Sequence, residues 1–452
     1  STISMWVKRG GYYVGSGTRN VFYGAFYGAS GRYDYMQFQS DDSLEFGSRD
    51  TDASTSSGSN NPHRKTSAFF RDPSAWYHIV LAIDTTNNVT SERLRLFVNG
   101  RRITEFQTET AIPQNRGYYT MSDGVENNIG AFQDNTTYNS ELYFDGYMAE
   151  IALIDGTAYD ASNFGEYSEH GIWRPIDISD LTFGSNGIYY KGQDASALGD
   201  DSSGNTNDGT LRNFTAQDQV LDSPTNNFCV LNSADKYSYD SGVTVRGVRD
   251  QGLAFISRPT GNQNGFGAGN MAVKSGKWYY EMYTTTYPAG EALGFGYADV
   301  QDCAVATAGA FRDFGLSNRY TTSAYTSWFW GTNSSTSTGY TPYGQGVVIG
   351  VYTDFDNNEL KVYKDGVLYG SVDFDSTSPT DNLTSEGIDW VPRFTLANDQ
   401  TAKIHVNFGQ DDSFNGNKTS GSAAASDDNG FGKFYYTPLT GYLAICSQNL
   451  GA

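Results

Sequence analysis

Short runs of alternating apolar and polar residues, separated by Gly, Asn, Asp and Ser, fill the chain, and no long amphipathic helical stretch interrupts them. Residues 76–84 (WYHIVLAID) read as a buried strand ending in a polar loop, with 93–98 (RLRLFV) as its alternating partner. Asn99-Gly100 tolerates the positive φ of a two-residue hairpin turn, so 101–103 is expected to fold back antiparallel. Residues 128–132 (NIGAF) then precede a long strand at 143–154 (YFDGYMAEIALI). The second half repeats the pattern, with aromatic-rich strands at 276–283 (GKWYYEMY), 294–298 (GFGYA) and 347–355 (VVIGVYTDF). Asp356-Asn357-Asn358 turns the last of these into 359–364, and Asp365-Gly366 turns it back into 367–369, which makes a three-stranded meander. Residues 390–396 (WVPRFTL) and 404–410 (IHVNFGQ) complete the series.

These strands define an all-β chain, and 452 residues are too many for one ordinary sandwich. Two antiparallel β-sandwiches are expected, at 1–175 and 230–447, joined by a polar linker at 176–229 and followed by a tail at 448–452. The 33 Tyr, 27 Phe and 51 Gly suit many short strands with tight turns. The chain opens without Met, directly in a strand-like run, and closes soon after the apolar 442–446, which implies a piece of a longer or processed protein.

Thirty Lys and Arg stand against 51 Asp and Glu, a formal charge of -21 that repels a phosphate backbone, so nucleic-acid binding is not expected. No cofactor is implied. A carboxylate-rich surface is compatible with calcium, although acidity is more often a solvated surface. Cys229, Cys303 and Cys446 are odd in number and far apart, which points to buried thiols rather than a zinc site or disulfide framework. No apolar run reaches the length of a membrane helix, so membrane insertion is not expected.

The order WYHIVLAID, RLRLFVNGR, NNIGAF, FDGYMAEIALIDG resembles the laminin-G-like modules of the concanavalin A-like fold over residues 1–175. Residues 157–166 (TAYDASNFGE) resemble the segment that closes such modules in bacteriophage structural proteins. The stretches 194–205 (DASALGDDSSGN) and 218–232 (DQVLDSPTNNFCVLN) resemble a junction found in tail-fibre and other virion proteins of marine phages. Across 230–447, GKWYYEMYTT, GFGYADV, VIGVYTDFDNNELKVYKDGVLYGS, VPRFTLAN and HVNFGQ resemble a SPRY domain. The resemblance implies a bent sandwich whose loops offer a platform to a peptide, a protein or a sugar. It also implies a virion-surface or extracellular protein.

Between Val300 and Gly344 the chain departs from the SPRY pattern, with Tyr320, Tyr325, Trp328, Phe329, Trp330 and Tyr340 set among Ser, Thr, Gly and Asn. Rigid aromatics among small polar residues suit a binding surface, so Tyr320, Tyr325, Trp328, Trp330 and Tyr340 are the candidate ligand-binding residues. The competing reading has Trp328 and Trp330 facing the core from one side of a strand. No catalytic constellation is visible. A glycosidase of this fold needs two carboxylates flanking the bond, but in Glu141, Asp145 and Glu150 the odd step puts Glu150 on the opposite strand face. Asp354 and Asp356 sit in a turn, and His63, His78, His170 and His405 are scattered.

The function expected is therefore non-enzymatic adhesion by a tail fibre or appendage that recognises host cell-surface glycan or protein. The alternatives are a structural decoration or connector protein packed against other virion subunits, and a polysaccharide depolymerase. Homo-oligomers, trimers among them, fit a fibre, although no heptad or collagen-like segment imposes one.

Overall fold

The computed structural model describes residues 1–10, 20–27, 32–49, 63–134, 137–138, 143–232, 248–249, 251–256, 265–288, 292–301, 313–319, 325–330, 334–373, 387–397, 402–421 and 425–451. The chain divides into two compact units, Ser1–Gln219 and Val220–Ala452.

In the first unit one sheet runs, in spatial order, β16 (Ile188–Tyr190), β13 (Gly146–Ile154), β1 (Thr2–Arg9), β6 (Trp76–Ile83), β7 (Leu94–Val98) and β8 (Arg101–Arg102). The other runs β10 (Glu126–Ile129), β2 (Asn20–Tyr27), β3 (Arg32–Phe38), β4 (Ser43–Arg49), β5 (His63–Phe69) and β9 (Phe106–Glu109). Two small hairpins, β11 (Gln133–Asp134) with β12 (Thr137–Tyr138) and β14 (Gly165–Tyr167) with β15 (Trp173–Pro175), lie outside them. Ile3, Met5 and Val7 of β1 and Ile79 and Leu81 of β6 pack against Met36, Phe38, Leu44 and Phe46 of the facing sheet, which makes this unit an antiparallel sandwich. The hairpin expected at Asn99-Gly100 is present, with φ of +48° and +76°.

A second apolar layer covers the back of the first sheet. Val80, Ala82, Phe97, Ala152 and Ile154 meet Phe164, Ile178 and Phe183 from the chain that follows β13. His78 lies in this layer, fully buried, stacked on Trp6 at 4.7 Å and near Trp173 at 6.0 Å. Trp173 Nε1–H donates to His78 Nδ1 at 3.0 Å, and indole is a donor only. Nδ1 is therefore the bare nitrogen, and Nε2–H faces Ser4 Oγ at 2.9 Å. Burial pushes the imidazole down to about 3.

In the second unit one sheet runs β17 (Val248–Arg249), β18 (Ala254–Ile256), β29 (Lys403–Asn407), β20 (Lys277–Thr286), β25 (Val348–Asp354), β26 (Glu359–Lys364) and β27 (Val367–Asp373). A short β30 (Leu443–Ala444) pairs parallel to β20. The other sheet runs β19 (Gly265–Ala268), β28 (Trp390–Ala397), β21 (Ala292–Asp299), β22 (Asp313–Arg319), β23 (Tyr325–Trp330) and β24 (Ser334–Ser337). Tyr280 of β20 reaches Tyr297 of β21 at 5.9 Å and Phe394 of β28 at 5.5 Å, so the two sheets face one another across aromatic rings.

Here too the back of one sheet is covered. Phe228, Tyr279 and Tyr352 pack with Ala425, Phe434, Tyr442 and Ala444. Beneath this cover Glu281 is fully buried, and its carboxylate accepts from Tyr279 Oη (2.8 Å), Tyr435 N (2.7 Å), Tyr436 N (2.8 Å) and Asn407 Nδ2 (3.3 Å). Burial raises Glu281 to about 7 against the pull of those donors.

The segment 176–229, expected as a linker, is instead built into both units. Ile188–Tyr190 is the edge strand β16, and the polar run after it is a knot centred on Asp201. That carboxylate accepts from Tyr189 N, Ser203 N, Ser203 Oγ and Asn207 N at 2.7–2.9 Å. Phe228 and Cys229 are fully buried in the second unit, with Cys229 N bonded to Ile445 O. Short polar side chains that bond to backbone give the composition of a linker and the rigidity of a folded turn.

Candidate functional site

In the stretch 300–344, read either as a binding surface or as a strand facing the core, the described residues 313–319, 325–330 and 334–337 pair as β22, β23 and β24 of the second sheet. Tyr320 lies outside the described residues. Tyr325 and Trp330 occupy the two ends of β23. Trp328 is 6% exposed and meets Tyr340 edge-on at 6.4 Å, which makes it a packing residue. Tyr340 is half-buried and contacts Tyr369 at 5.1 Å. Trp328 and Tyr340 thus come together in the packing between β23 and β27.

A different face groups aromatic, amide and charged side chains. In β3 the residues Asp34, Met36 and Phe38 point to the core side, so Tyr33, Tyr35 and Gln37 share the opposite face. Register places Tyr35 opposite Gly47 and Gln37 opposite Glu45 of β4, with Lys65 of β5 next in that row. Gly47 is needed for this arrangement: a Cβ there would sit 2.3 Å from the Tyr35 ring, which lies across the strand. Gly24 of β2 lets Phe132 approach in the same way, at 2.9 Å. Tyr33 and Phe132 meet edge-on at 5.0 Å, Tyr35 and Phe132 at 6.1 Å, and the Arg49 guanidinium lies over Tyr33 at 5.9 Å.

A polar row adjoins these rings. Glu45 Oε1 accepts from Tyr35 Oη at 2.6 Å and from Gln37 Nε2 at 3.0 Å, and Oε2 accepts from Gln39 Nε2 at 2.5 Å. Glu45 is 4% exposed, so it acts from beneath as a brace that fixes the half-buried Tyr35 and Gln39. At the end of the face Asp41 holds Lys65 at 2.7 Å. Partial burial would raise Asp41, but its bonds to Lys65 and Ser43 outweigh that and hold it at about 2. Flat rings beside an amide, a phenol and a cation present stacking and directional hydrogen bonds at once.

The candidate carboxylates elsewhere serve structure. Glu141 lies outside the described residues. Glu150 sits at a bulge in β13 with φ of +49° and bonds to the Tyr189 hydroxyl. Asp354 accepts from Asp356 N, Asn357 N and Asn357 Nδ2 and pairs with Lys277. Burial raises its carboxyl, but these partners outweigh that and hold it below the usual range. His405 is buried between Thr285 and Asn417. Among the described residues no group of three or more His, Cys, Asp or Glu is placed to hold a metal ion, and no described helix is long and apolar enough to cross a membrane.

Reading the sequence for Trp and for loops missed the face on β3. The signal was present in residues 33–39 (YDYMQFQ), whose outward positions are Tyr, Tyr, Gln and Gln, and in mid-strand glycines at 24 and 47.

No family model matches the sequence, and no curated protein matches it. Among solved structures, the chain is similar to the SPRY domain of human HERC1, at 13% identity over 34% of this chain and 87% of that one, with a TM-score of 0.24. It is also similar to the metal-free carbohydrate recognition domain of Emp46p, at 9% identity over 36% of this chain and 85% of that one, with a TM-score of 0.25. A heptameric SAP-like pentraxin from Limulus polyphemus matches at 15% identity over 33% of this chain and 61% of that one, with a TM-score of 0.22. The two-sandwich, all-β class itself is established by the sheets described above.

Proposed function

We propose that the chain is a non-enzymatic recognition protein that binds glycan through the β3–β4 face of its first unit. In the setting implied by the sequence resemblance, it is a tail-fibre or appendage protein of a bacteriophage particle, exposed on the virion surface and directed at host cell-surface polysaccharide. The observation that carries the reading is the row in which Glu45 and Gly47 fix Tyr35, Glu45 fixes Gln39, and Tyr33 packs on Phe132. A pyranose ring stacks its C–H face on tyrosine while its hydroxyls bond to amide and phenol groups. Both Glu45 oxygens are occupied by donors, which favours a brace over an acid–base catalyst working as one of a pair.

Titration of the protein with host envelope polysaccharide tests this. Tyr35→Ala is expected to weaken binding roughly 10- to 100-fold, the range for losing one aromatic anchor, and neither this variant nor the unmodified protein is expected to release reducing ends. Gly47→Ala is expected to weaken it to a similar degree, because the new methyl displaces the Tyr35 ring. Wild-type affinity in both variants would refute the assignment.

A second reading, a decoration or connector subunit, draws on Val367 and Leu368, which are 69% and 53% exposed at the β26–β27 turn. An image of the intact particle with this turn buried against another subunit supports that reading.

A further inference from the structure

The second unit holds a lysine ammonium against two tyrosine rings. Lys418 Nζ lies 5.3 Å from the centre of the Tyr283 ring and 4.6 Å from that of Tyr435. Phe414, fully buried, backs these two rings, 5.6 Å from Tyr283 and 6.2 Å from Tyr435. Although the protein carries a net charge of -21, no carboxylate among the described residues pairs with Lys418. The ring faces hold this cation in place of a counter-ion.

The walls are fixed independently of the lysine. Tyr283 belongs to β20, and the Tyr435 backbone N–H is anchored on Glu281 at 2.7 Å. Phe414 and Asn415 adopt positive φ, +51° and +58°, in a turn that Asp411 holds through Ser413 N, Ser413 Oγ and Asn415 N. Asn417 ties the far side of the turn to His405 Nε2 at 3.2 Å. Only the occupant is a long flexible side chain, and it is half-buried, as are both tyrosines.

We infer that Tyr283 and Tyr435, backed by Phe414, form a binding site for a quaternary alkylammonium group, with Lys418 as an internal occupant that the ligand displaces. A primary ammonium is strongly hydrated and gives up that hydration to enter the site. A quaternary ammonium has no N–H to leave unsatisfied and binds aromatic faces in its place. Lys418 thereby sets a threshold, since ordinary lysine and arginine groups gain little by replacing it. The group can come from a trimethylated lysine of a protein or from a choline head group.

Tetramethylammonium chloride, compared with the same concentration of sodium chloride, is the probe. In the unmodified full-length chain it is expected to raise the rate at which Lys418 is acylated several-fold, read by peptide mass spectrometry. An unchanged rate overturns the displacement. Lys418→Ala is expected to bind tetramethylammonium roughly tenfold more tightly, and adding Tyr435→Ala to abolish that gain. A Lys418→Ala protein with the wild-type unfolding midpoint and no gain in binding overturns the site. Competition by a trimethyllysine peptide or by phosphocholine then separates the two sources.

Discussion

Lowering the pH from 7 to 3 is expected to remove about 4 kcal/mol from the stability of the first unit through His78 alone. The sign follows from the direction of its shift. The unfolded chain takes up a proton near 6.5, whereas burial between Trp6 and Trp173 holds the folded group at about 3. Between these values the unfolded state binds the extra proton, so the contribution is complete above 6.5 and is lost as pH falls through about 3. Protonation would also turn Nδ1 into a donor facing the Trp173 N–H, two donors with no acceptor between them. Hydrogen exchange of the β1 and β6 amides, corrected for the intrinsic pH dependence, reports the loss. His78→Phe should flatten the slope, and an unchanged slope in that variant would assign the acid sensitivity to other groups.

Glu281→Ala is expected to destabilise the second unit by about 3–5 kcal/mol, because it strands four donors under the aromatic cover. Glu281→Gln keeps the shape, and its one acceptor oxygen can serve part of the set, so it should cost less. Denaturant unfolding, together with the rate of proteolysis within 425–446, measures both. The pH dependence here runs the other way. The folded carboxyl titrates at about 7 and the unfolded one near 4.5, so this stability is present in full below 4.5 and is lost as pH rises through 7. Acid thus weakens the first unit through His78 while favouring the second through Glu281.

How much of this was legible depended on whether a signal was local. The Asn99-Gly100 and Asp365-Gly366 turns are set by residues that tolerate positive φ, and both adopt it in the structure. Alternation placed β6, β7, β20, β25 and β26, and with them the all-β class. The junction was misread because Asp, Ser, Asn and Gly have the same composition in a solvated linker as in a knot around Asp201, and only the partners at Tyr189 and Gly187 tell them apart. Sequence alone left Trp328 open between a binding surface and a core-facing strand position for a related reason. A tryptophan among small polar residues suits an exposed platform and a sheet edge equally, and the neighbours that decide, Tyr340 and Tyr369, lie on other segments. The β3 face depends on Gly24, Phe132 and Glu45, which come from three separate stretches that no window of sequence joins.

The central place of β1, between β6 and β13, also sets a schedule for synthesis. Its second neighbour is complete only at Ile154, about 140 residues after β1 itself, which at about 5–20 residues per second is a wait of roughly seven to thirty seconds on the ribosome. Until Ile83 is made both flanks of Ile3, Met5 and Val7 are open, and one stays open until Ile154; an unpaired apolar edge is a template for pairing with another nascent chain. Crowded polysomes and a pause before residue 146 should therefore lower the yield of folded protein, measured as the soluble fraction after synthesis, whereas faster translation up to Ile154 should raise it.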